Sequence, residues 1–461
     1  MIPLSLQEVA EIVGGRVVDA ETDVQVTGPA FLDSRAPEPG GLFVAFEGER
    51  VDGHDFAERA VAGGAAAVLG SRRTGVPSVL VGDTEAALQE LARVVLSRLR
   101  ENLTVVAVTG SSGKTSVKDM LDAVLSDAAP TVATAGSFNN ELGLPLTVLR
   151  ATEQTRHLVL EMGARGVGHL AVLCAIAPPD ISLVLNVGKA HLGEFGSQEN
   201  IALAKGELVE ALGPDGTAVL NADDPHVVAM ASRTSAPVRT FGRSPETDVR
   251  LLDVVLDELG RPSFDLVTDA GEARVSLQLL GEHQAINAAA VAATAVAAGL
   301  GLGDVAASLG HIERLSRWRM EIRQRADGLV VLNDAYNANP DSMRAALQTL
   351  AAVARSSGRR TIAVLGEMRE LGHTSVEEHR ALGRTARDLE IDEMVLIGDG
   401  ARPIGDAHPR AVWFPSVEEA LAAVRRNVIG SEVVLVKASR AAALERFAEA
   451  LLEDTGEGDA R

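Results

Sequence analysis

A run of eight residues, Thr109-Gly110-Ser111-Ser112-Gly113-Lys114-Thr115-Ser116, carries the densest chemistry in the chain. It follows an apolar stretch that reads as a strand (103–110) and precedes a helical stretch, Val117 to Leu125. Glycines let a backbone curl until its N–H groups converge on phosphate oxygens, and a helix N-terminus adds partial positive charge. Lys114 is placed to neutralise terminal phosphates, and the Thr115 hydroxyl to bind Mg²⁺. The spacing is G-x-x-G-K-T, two residues shorter than the usual phosphate loop, with Val108 where the first glycine would stand. An ordinary glycine turn before a helix is the alternative. Strand, loop, lysine, hydroxyl and helix in register favour phosphate binding.

Such a loop needs an acidic metal partner from a neighbouring strand. Glu161, ending the apolar run HLVLEMG, is the candidate; a solvated strand-end carboxylate is the bland reading. His191 lies just past another strand end, in Asn186-Val187-Gly188-Lys189-Ala190-His191, and by itself reads as a loop residue as readily as a metal ligand. Further on, Asp334 and Tyr336 end a strand and are followed by Asn337-Ala338-Asn339-Pro340. An aspartate there can accept from ribose hydroxyls, and the chain's single tyrosine can pack on a flat ring; an Asn/Pro-rich turn explains the asparagines alone. Arg319 can reach a phosphate or pair with Glu321.

Among 43 basic residues only five are lysine: Lys114, Lys118, Lys189, Lys205 and Lys437. Where a surface charge suffices this chain uses arginine, so its lysines are enriched for positions that need an amine. Lys205, in the helical run NIALAKGELVEAL, gains interest for that reason.

The elements that must position these groups fall into blocks. Residues 1–100 mix short strands (42–48, 78–83) with a helix running into a strand (56–69) and a helical stretch from Leu88 to Leu99. From 101, apolar runs at 103–110, 157–163, 181–188 and 216–223 alternate with helices, the pattern of a parallel sheet covered on both faces. Residues 246–281 read as an antiparallel meander, followed by an alanine-rich helix from Gln284. A second alternating block has strands at 329–336, 360–367, 393–399 and 432–439. In both blocks the polar signals sit at the carboxyl ends of strands, where open parallel sheets bind ligands. The expected architecture is α/β in three domains: an N-terminal α/β substrate domain (1–100), a central P-loop parallel-sheet ATPase domain (101–313) and a C-terminal Rossmann-like domain (314–461). A hinge is expected near 310–316, and disorder in the tail Glu453–Arg461.

The 461 residues are 46% apolar and 23% charged, as in a globular chain. A net charge of −21 argues against a nucleic-acid partner and an anionic membrane surface. One cysteine, Cys174, excludes an internal disulfide and fits a reducing compartment. The start lacks a basic flank and does not read as a signal peptide, and the Ala285–Gly303 run reads as a buried soluble helix rather than a membrane span. A cytoplasmic monomer is expected. By residue chemistry alone this is a nucleoside triphosphatase with a metal site between two α/β domains.

The segments TGSSGKTS, NNELGLPLT (139–147), EMGA (161–164), NVGKAHLGEFGS (186–197), AKGEL (204–208) and LNADDP (220–225) resemble the Mur ligases, ATP-dependent amide ligases of peptidoglycan precursor synthesis. The resemblance covers essentially the whole chain. NDAYNANPDSM (333–343) and VLGEMRELGHTSVEEHRALG (364–383) are similar to members that add a dipeptide. The resemblance implies UDP-N-acetylmuramoyl-tripeptide and D-Ala-D-Ala as substrates, with ATP and two Mg²⁺ ions. It implies that Gly110, Ser111, Ser112, Gly113, Lys114, Thr115 and Ser116 hold the ATP phosphates. Thr115 and Glu161 would ligate one Mg²⁺, and His191 a second. Lys205 matches the family lysine that CO₂ carbamylates into a metal ligand. Asn287 would contact adenine, and Arg319 and Asp334 would reach phosphate and ribose. Ser34 and Arg35 fall where the uridine diphosphate end is held. Asn139, Asn140, Tyr336, Asn337, Asn339 and the 366–379 loop would meet the peptide substrates.

Three positions depart from the family pattern: Gln284 for asparagine in G-x-H-N-x-x-N, Asn333 for aspartate in D-D-A-Y, and Ala438 for glycine in V-K-G-S-R. They bear on adenine and dipeptide contacts. A sister ligase, a folylpolyglutamate-type synthase, an inactive scaffold and a P-loop kinase are the rival readings.

Overall fold

The computed structural model describes residues 1–48 and 51–453. The tail beyond Glu453, where disorder was expected, lies outside the described residues. Besides a two-stranded ribbon of Leu4–Ser5 with Gln25–Val26, three larger sheets organise the described residues. The first has five strands in the order Arg16–Val18, Ser78–Leu80, Ala67–Gly70, Leu42–Val44, Ala30–Phe31, all parallel except the first pair. Helix Thr84–Leu99 leaves it, N-capped by Asp83, whose carboxylate accepts from the Glu85 and Ala86 N–H groups. Leu88, Leu91, Val95 and Leu96 of this helix are buried in one continuous core that runs from Met1 to Ala236. Each such leucine contributes about 1.5–3 kcal/mol by leaving water, which seats the N-terminal sheet against the central one.

The central sheet has nine strands. Seven are parallel neighbours, in the order Val249–Leu256, Val238–Gly242, Thr217–Asn221, Ile181–Val184, Thr104–Thr109, His157–Glu161, Thr131–Ala133. The expected meander is present, but as an antiparallel continuation of this same sheet, through Pro262–Thr268 and Gly271–Ser276. The strands Thr131–Ala133 and Val238–Gly242 were not foreseen. Both are half-exposed for much of their length and lack the continuous apolar run of a buried strand.

Strand Thr104–Thr109 lies between Ile181–Val184 and His157–Glu161, so the chain departs to opposite sides of it. That is the switch point at which an open sheet leaves a crevice above its strand ends. The phosphate-loop helix runs Lys114–Ala128, three residues longer at each end than expected. It packs on helix His283–Ala297, whose alanines from Ala288 to Ala290 and at Ala292, Ala293 and Ala295 are fully buried. The Ala285–Gly303 run is interrupted: Gly299 turns at φ +97° before a second helix, Leu302–His311.

The last sheet has six strands in the order Glu321–Gln324, Val330–Asn333, Glu432–Lys437, Arg360–Leu365, Glu393–Ile397, Ala411–Phe414, parallel but for the first. Its two edge strands are further additions to the sequence reading. Within the expected hinge, Gly310 and His311 belong to the last turn of a helix. Ser316 is tied to the phosphate-loop helix: its N–H donates to Asp119 Oδ2 (2.7 Å) and its hydroxyl to Asp119 Oδ1 (3.1 Å).

Candidate active site

The carboxyl ends of the central and C-terminal sheets face each other across one cavity of about 630 Å³. Glu161 pairs in register with Val108, which places its carboxylate beside the root of the phosphate loop. The Thr115 hydroxyl donates to Glu161 Oε2 (2.8 Å), and the Asn139 carboxamide donates to Glu161 Oε1 (2.7 Å). From the C-terminal domain, Arg319 donates to Thr115 Oγ1 (2.8 Å) and lies 4.1 Å above the Tyr336 ring. No Arg319–Glu321 pair is present among the described residues.

The phosphate loop is held by Asn186, at the end of strand Ile181–Val184. Its Oδ1 accepts from the N–H groups of Ser111 (3.0 Å) and Ser112 (2.9 Å). Two amides expected to face phosphate are therefore spent on curling the loop. The helix N-terminus remains open: Gly113 starts it at φ +83° and no side chain caps it. First-turn N–H groups of a helix have no intrahelical acceptor, so these are the ones left for an anion. Lys114 Nζ donates to the Gly110 carbonyl (2.7 Å), folded back over the loop. Desolvation lowers its pKa, and the nearby Glu161 charge opposes that.

Lys205 is buried in the cavity wall, and among the described residues its amine has no hydrogen-bond or ion-pair partner. Burial, reinforced by the Lys114 charge, drives its pKa well below that of an ordinary lysine. Burial thus favours the uncharged, nucleophilic form of the amine. His191 also lines the cavity, at φ +59°, but its Nδ1 lies 2.7 Å from Glu370 Oε2 and 3.6 Å from Glu194 Oε2. The donor set fits a hard divalent cation: a hydroxyl and a carboxylate converge in a buried pocket. Beside them Arg319 Nε and Ser137 Oγ are buried without a partner among the described residues.

Opposite the loop, Asp334 forms a buried pair with Lys437 Nζ (2.5 Å), which also donates to the Asn337 carbonyl (2.8 Å). Burial lowers the Lys437 pKa, and Asp334 opposes the shift. His283 packs near this pair, and burial holds its pKa down at about 4. The cavity thus gathers Ser111, Ser112, Gly113, Lys114, Thr115, Ser116, Asn139, Asn140, Glu161, His191, Lys205, Arg319, Asp334, Tyr336, Asn337 and Asn339. It does not gather all of the expected residues. Gly110 contributes only its carbonyl, behind the loop. Asn287, expected on adenine, is buried, hydrogen-bonded to Gln284, with Oδ1 2.9 Å from where a Cβ on Gly113 would stand. It props the loop from beneath. Ser34 and Arg35 lie in the N-terminal domain, off this cavity, with Arg35 paired to Asp33.

Sequence reasoning covered Glu370 only as part of the 366–379 loop and gave no individual role to Asn186, His283, Arg165 or Lys437. The scarcity of lysine could have flagged the last: Lys114, Lys205 and Lys437 all line the cavity.

Residues 31–109 match the catalytic domain of the Mur ligase family, residues 108–295 its middle domain and residues 318–440 its glutamate ligase domain. The chain belongs to the Mur ligase family. Among relatives of this Mur ligase, the UDP-N-acetylmuramoyl-tripeptide–D-alanyl-D-alanine ligase of Mycobacterium tuberculosis is 46% identical over 100% of both chains. A solved UDP-N-acetylmuramoylalanyl-D-glutamyl-2,6-diaminopimelate–D-alanyl-D-alanyl ligase from Acinetobacter baumannii superposes with a TM-score of 0.85. It is 30% identical, over 98% of this chain and 99% of that one. MurF from Thermotoga maritima, solved in complex with ADP, gives 0.80 at 31% identity, over 93% and 97%.

Proposed function

We propose that this Mur ligase joins D-alanyl-D-alanine to UDP-N-acetylmuramoyl-tripeptide, cleaving ATP to ADP and phosphate. The observation that carries this is full-length identity of 46% to a relative named for that reaction. In the first step the γ-phosphoryl passes to the terminal carboxylate of the tripeptide, giving an acyl phosphate and ADP. The dipeptide amine then adds to the acyl carbon, and the tetrahedral adduct expels phosphate while the amine loses its proton.

The first step brings two anions together. Lys114, Arg319 and the open N-terminus of helix Lys114–Ala128 supply opposing charge in a partly desolvated cavity, where it acts most strongly. Thr115 and Glu161 are the residues that would hold Mg²⁺, with His191 for a second ion. Bound there, the metal would neutralise charge developing on the transferred phosphoryl. Lys205 suits carbamylation: burial disfavours its charged form, and the unprotonated amine can add to CO₂, forming an N–C bond and losing one proton, and so become carboxylate-like. Asp334, held by Lys437, faces the cavity where a ribose would lie. In this reading Asn139 and Asn140 meet the tripeptide, Tyr336, Asn337 and Asn339 the dipeptide side, and Ser34 and Arg35, in the N-terminal domain, the uridine diphosphate. Closure of the C-terminal domain would exclude water from the acyl phosphate.

A UDP-linked precursor makes the cytoplasm the expected compartment, and a monomer suffices because one chain lines the cavity. No helix among the described residues is long and apolar enough to cross a membrane. The test is phosphate release from ATP and Mg²⁺ with the tripeptide nucleotide, with and without D-Ala-D-Ala. Release that needs both, with a pentapeptide product by mass, is expected. Release only with a different amine would move the chain to a sister ligase, and none with any amine would defeat the reading.

A further inference from the structure

Four arginines line the cavity, and three are pinned. Arg319 is held by Thr115 and Tyr336. Arg369 pairs with Glu367. Arg440 pairs with Glu445 (2.6 Å) and lies 4.6 Å over the Trp318 ring. Arg165 is exposed and has no hydrogen bond or ion pair among the described residues. It follows the strand-end Glu161 by four residues. The Gly163 N–H donates to the Asn139 carbonyl (2.9 Å), and a Cβ on Gly163 would stand 3.0 Å from the Asn139 carboxamide. The segment after the strand therefore presents an unpaired guanidinium to the cavity that Asn139 also lines. Glu370, whose carboxylate feels its charge, is already engaged by His191.

We propose that Arg165 binds a carboxylate of the tripeptide other than the one activated by ATP. This rests on the ligase reading above. A tripeptide ending D-glutamyl-2,6-diaminopimelate, as in the name of the Acinetobacter relative, carries two spare carboxylates. One is the D-glutamyl carboxyl outside the peptide bond, the other the second carboxyl of diaminopimelate. The chain carries a net charge of −21, and Glu141 and Glu370 share the cavity wall. A second substrate carboxylate needs a cation there, and the planar fork of a guanidinium matches it in bidentate fashion. The ATP phosphates have Lys114, Arg319 and the loop, and do not need Arg165.

The experiment is steady-state kinetics of the full chain and its R165Q and R165K variants with three tripeptide nucleotides. One carries diaminopimelate, one carries lysine in its place, and one has the D-glutamyl carboxylate amidated. R165Q should raise KM for the diaminopimelate substrate about 10- to 100-fold, the range for charge-assisted hydrogen bonds. KM for ATP and for D-Ala-D-Ala should stay within about twofold, and R165K should recover part of the loss. The penalty should vanish with whichever analogue lacks the carboxylate that Arg165 holds, which tells the two apart. An unchanged tripeptide KM, a raised ATP KM, or the same penalty with all three substrates would overturn the proposal. Wild-type protein that makes no product with any of them would instead overturn the ligase reading.

Discussion

Replacing Gly193 by alanine should cripple turnover while leaving the fold intact. Gly193 sits in the short helix Leu192–Phe195 of the central domain and meets the C-terminal domain backbone to backbone: its N–H donates to the Glu370 carbonyl at 2.9 Å. A Cβ there would stand 2.6 Å from Gly372 N and 3.0 Å from Glu370 O, atoms that cannot swing aside as a flexible side chain would. The φ of Gly193 is negative, so alanine is not strained by its own backbone. Inside either domain the change is neutral or slightly favourable, because alanine exceeds glycine in helix propensity by about 1 kcal/mol. The cost falls on the contact. Losing the Gly193–Glu370 hydrogen bond costs about 0.5–1.5 kcal/mol. Displacing Glu370 from His191, a partly exposed pair, costs about 0.2–1 kcal/mol more. Together about 1–2.5 kcal/mol is removed from the apposed arrangement, which corresponds to about a 5- to 70-fold fall in the ratio of apposed to open molecules, the upper bound on the loss of turnover. The assay is kcat/KM from phosphate release with both substrates, alongside a thermal melt. The expected result is a fall of more than twofold within that bound, with Tm within about 2 °C of wild type and KM for ATP little changed. A kcat/KM within twofold of wild type would refute the reasoning that this glycine contact supports the active arrangement.

Lys205→Arg keeps a cation but cannot form a carbamate, because guanidinium stays protonated; phosphate release should drop at least about 100-fold, and wild-type rates in this variant would remove the case for a carbamate. Lys437→Met strands the Asp334 carboxylate in a buried site and should cost about 3–5 kcal/mol of stability, read as a lowered denaturation midpoint; a loss below about 1 kcal/mol would mean water replaces the amine. His283 has a folded-state pKa of about 4, against an ordinary value of 6.5. The unfolded chain therefore takes up this proton first as pH falls, so stability is fullest above about pH 6.5 and declines toward pH 4. The decline reaches at most about 3 kcal/mol before solvent screens the half-buried ring. The groups facing it are Asp334 and Lys437; His283→Gln should flatten the slope of Tm against pH, and an identical slope would assign it elsewhere.

Much of the site is local chemistry and is written into the chain order. The phosphate loop, the strand-end positions of Glu161 and Asp334, and the unusual lysines are readable because each depends on neighbours within a few residues. So is the division into parallel-sheet blocks, since buried strands need continuous apolar runs. The edge strands Thr131–Ala133 and Ala411–Phe414 escaped notice because half-exposed strands carry no such run. Tertiary structure alone decided the pairings. Asn186 grips the amides of Ser111 and Ser112 across some 75 residues, so the loop is curled by a distant carboxamide rather than by its glycines alone. Asn287 was expected at a base and stands instead beneath Gly113, because the packing of two helices puts it there. Arg165 is one arginine among many by composition; only the structure shows that it lines the cavity without a hydrogen bond or ion pair, while Arg319, Arg369 and Arg440 are held by neighbours. Sequence spacing specifies which groups an element carries and on which end. Which of those groups find partners, and which are left to a substrate, depends on how sheets from distant parts of the chain are brought face to face.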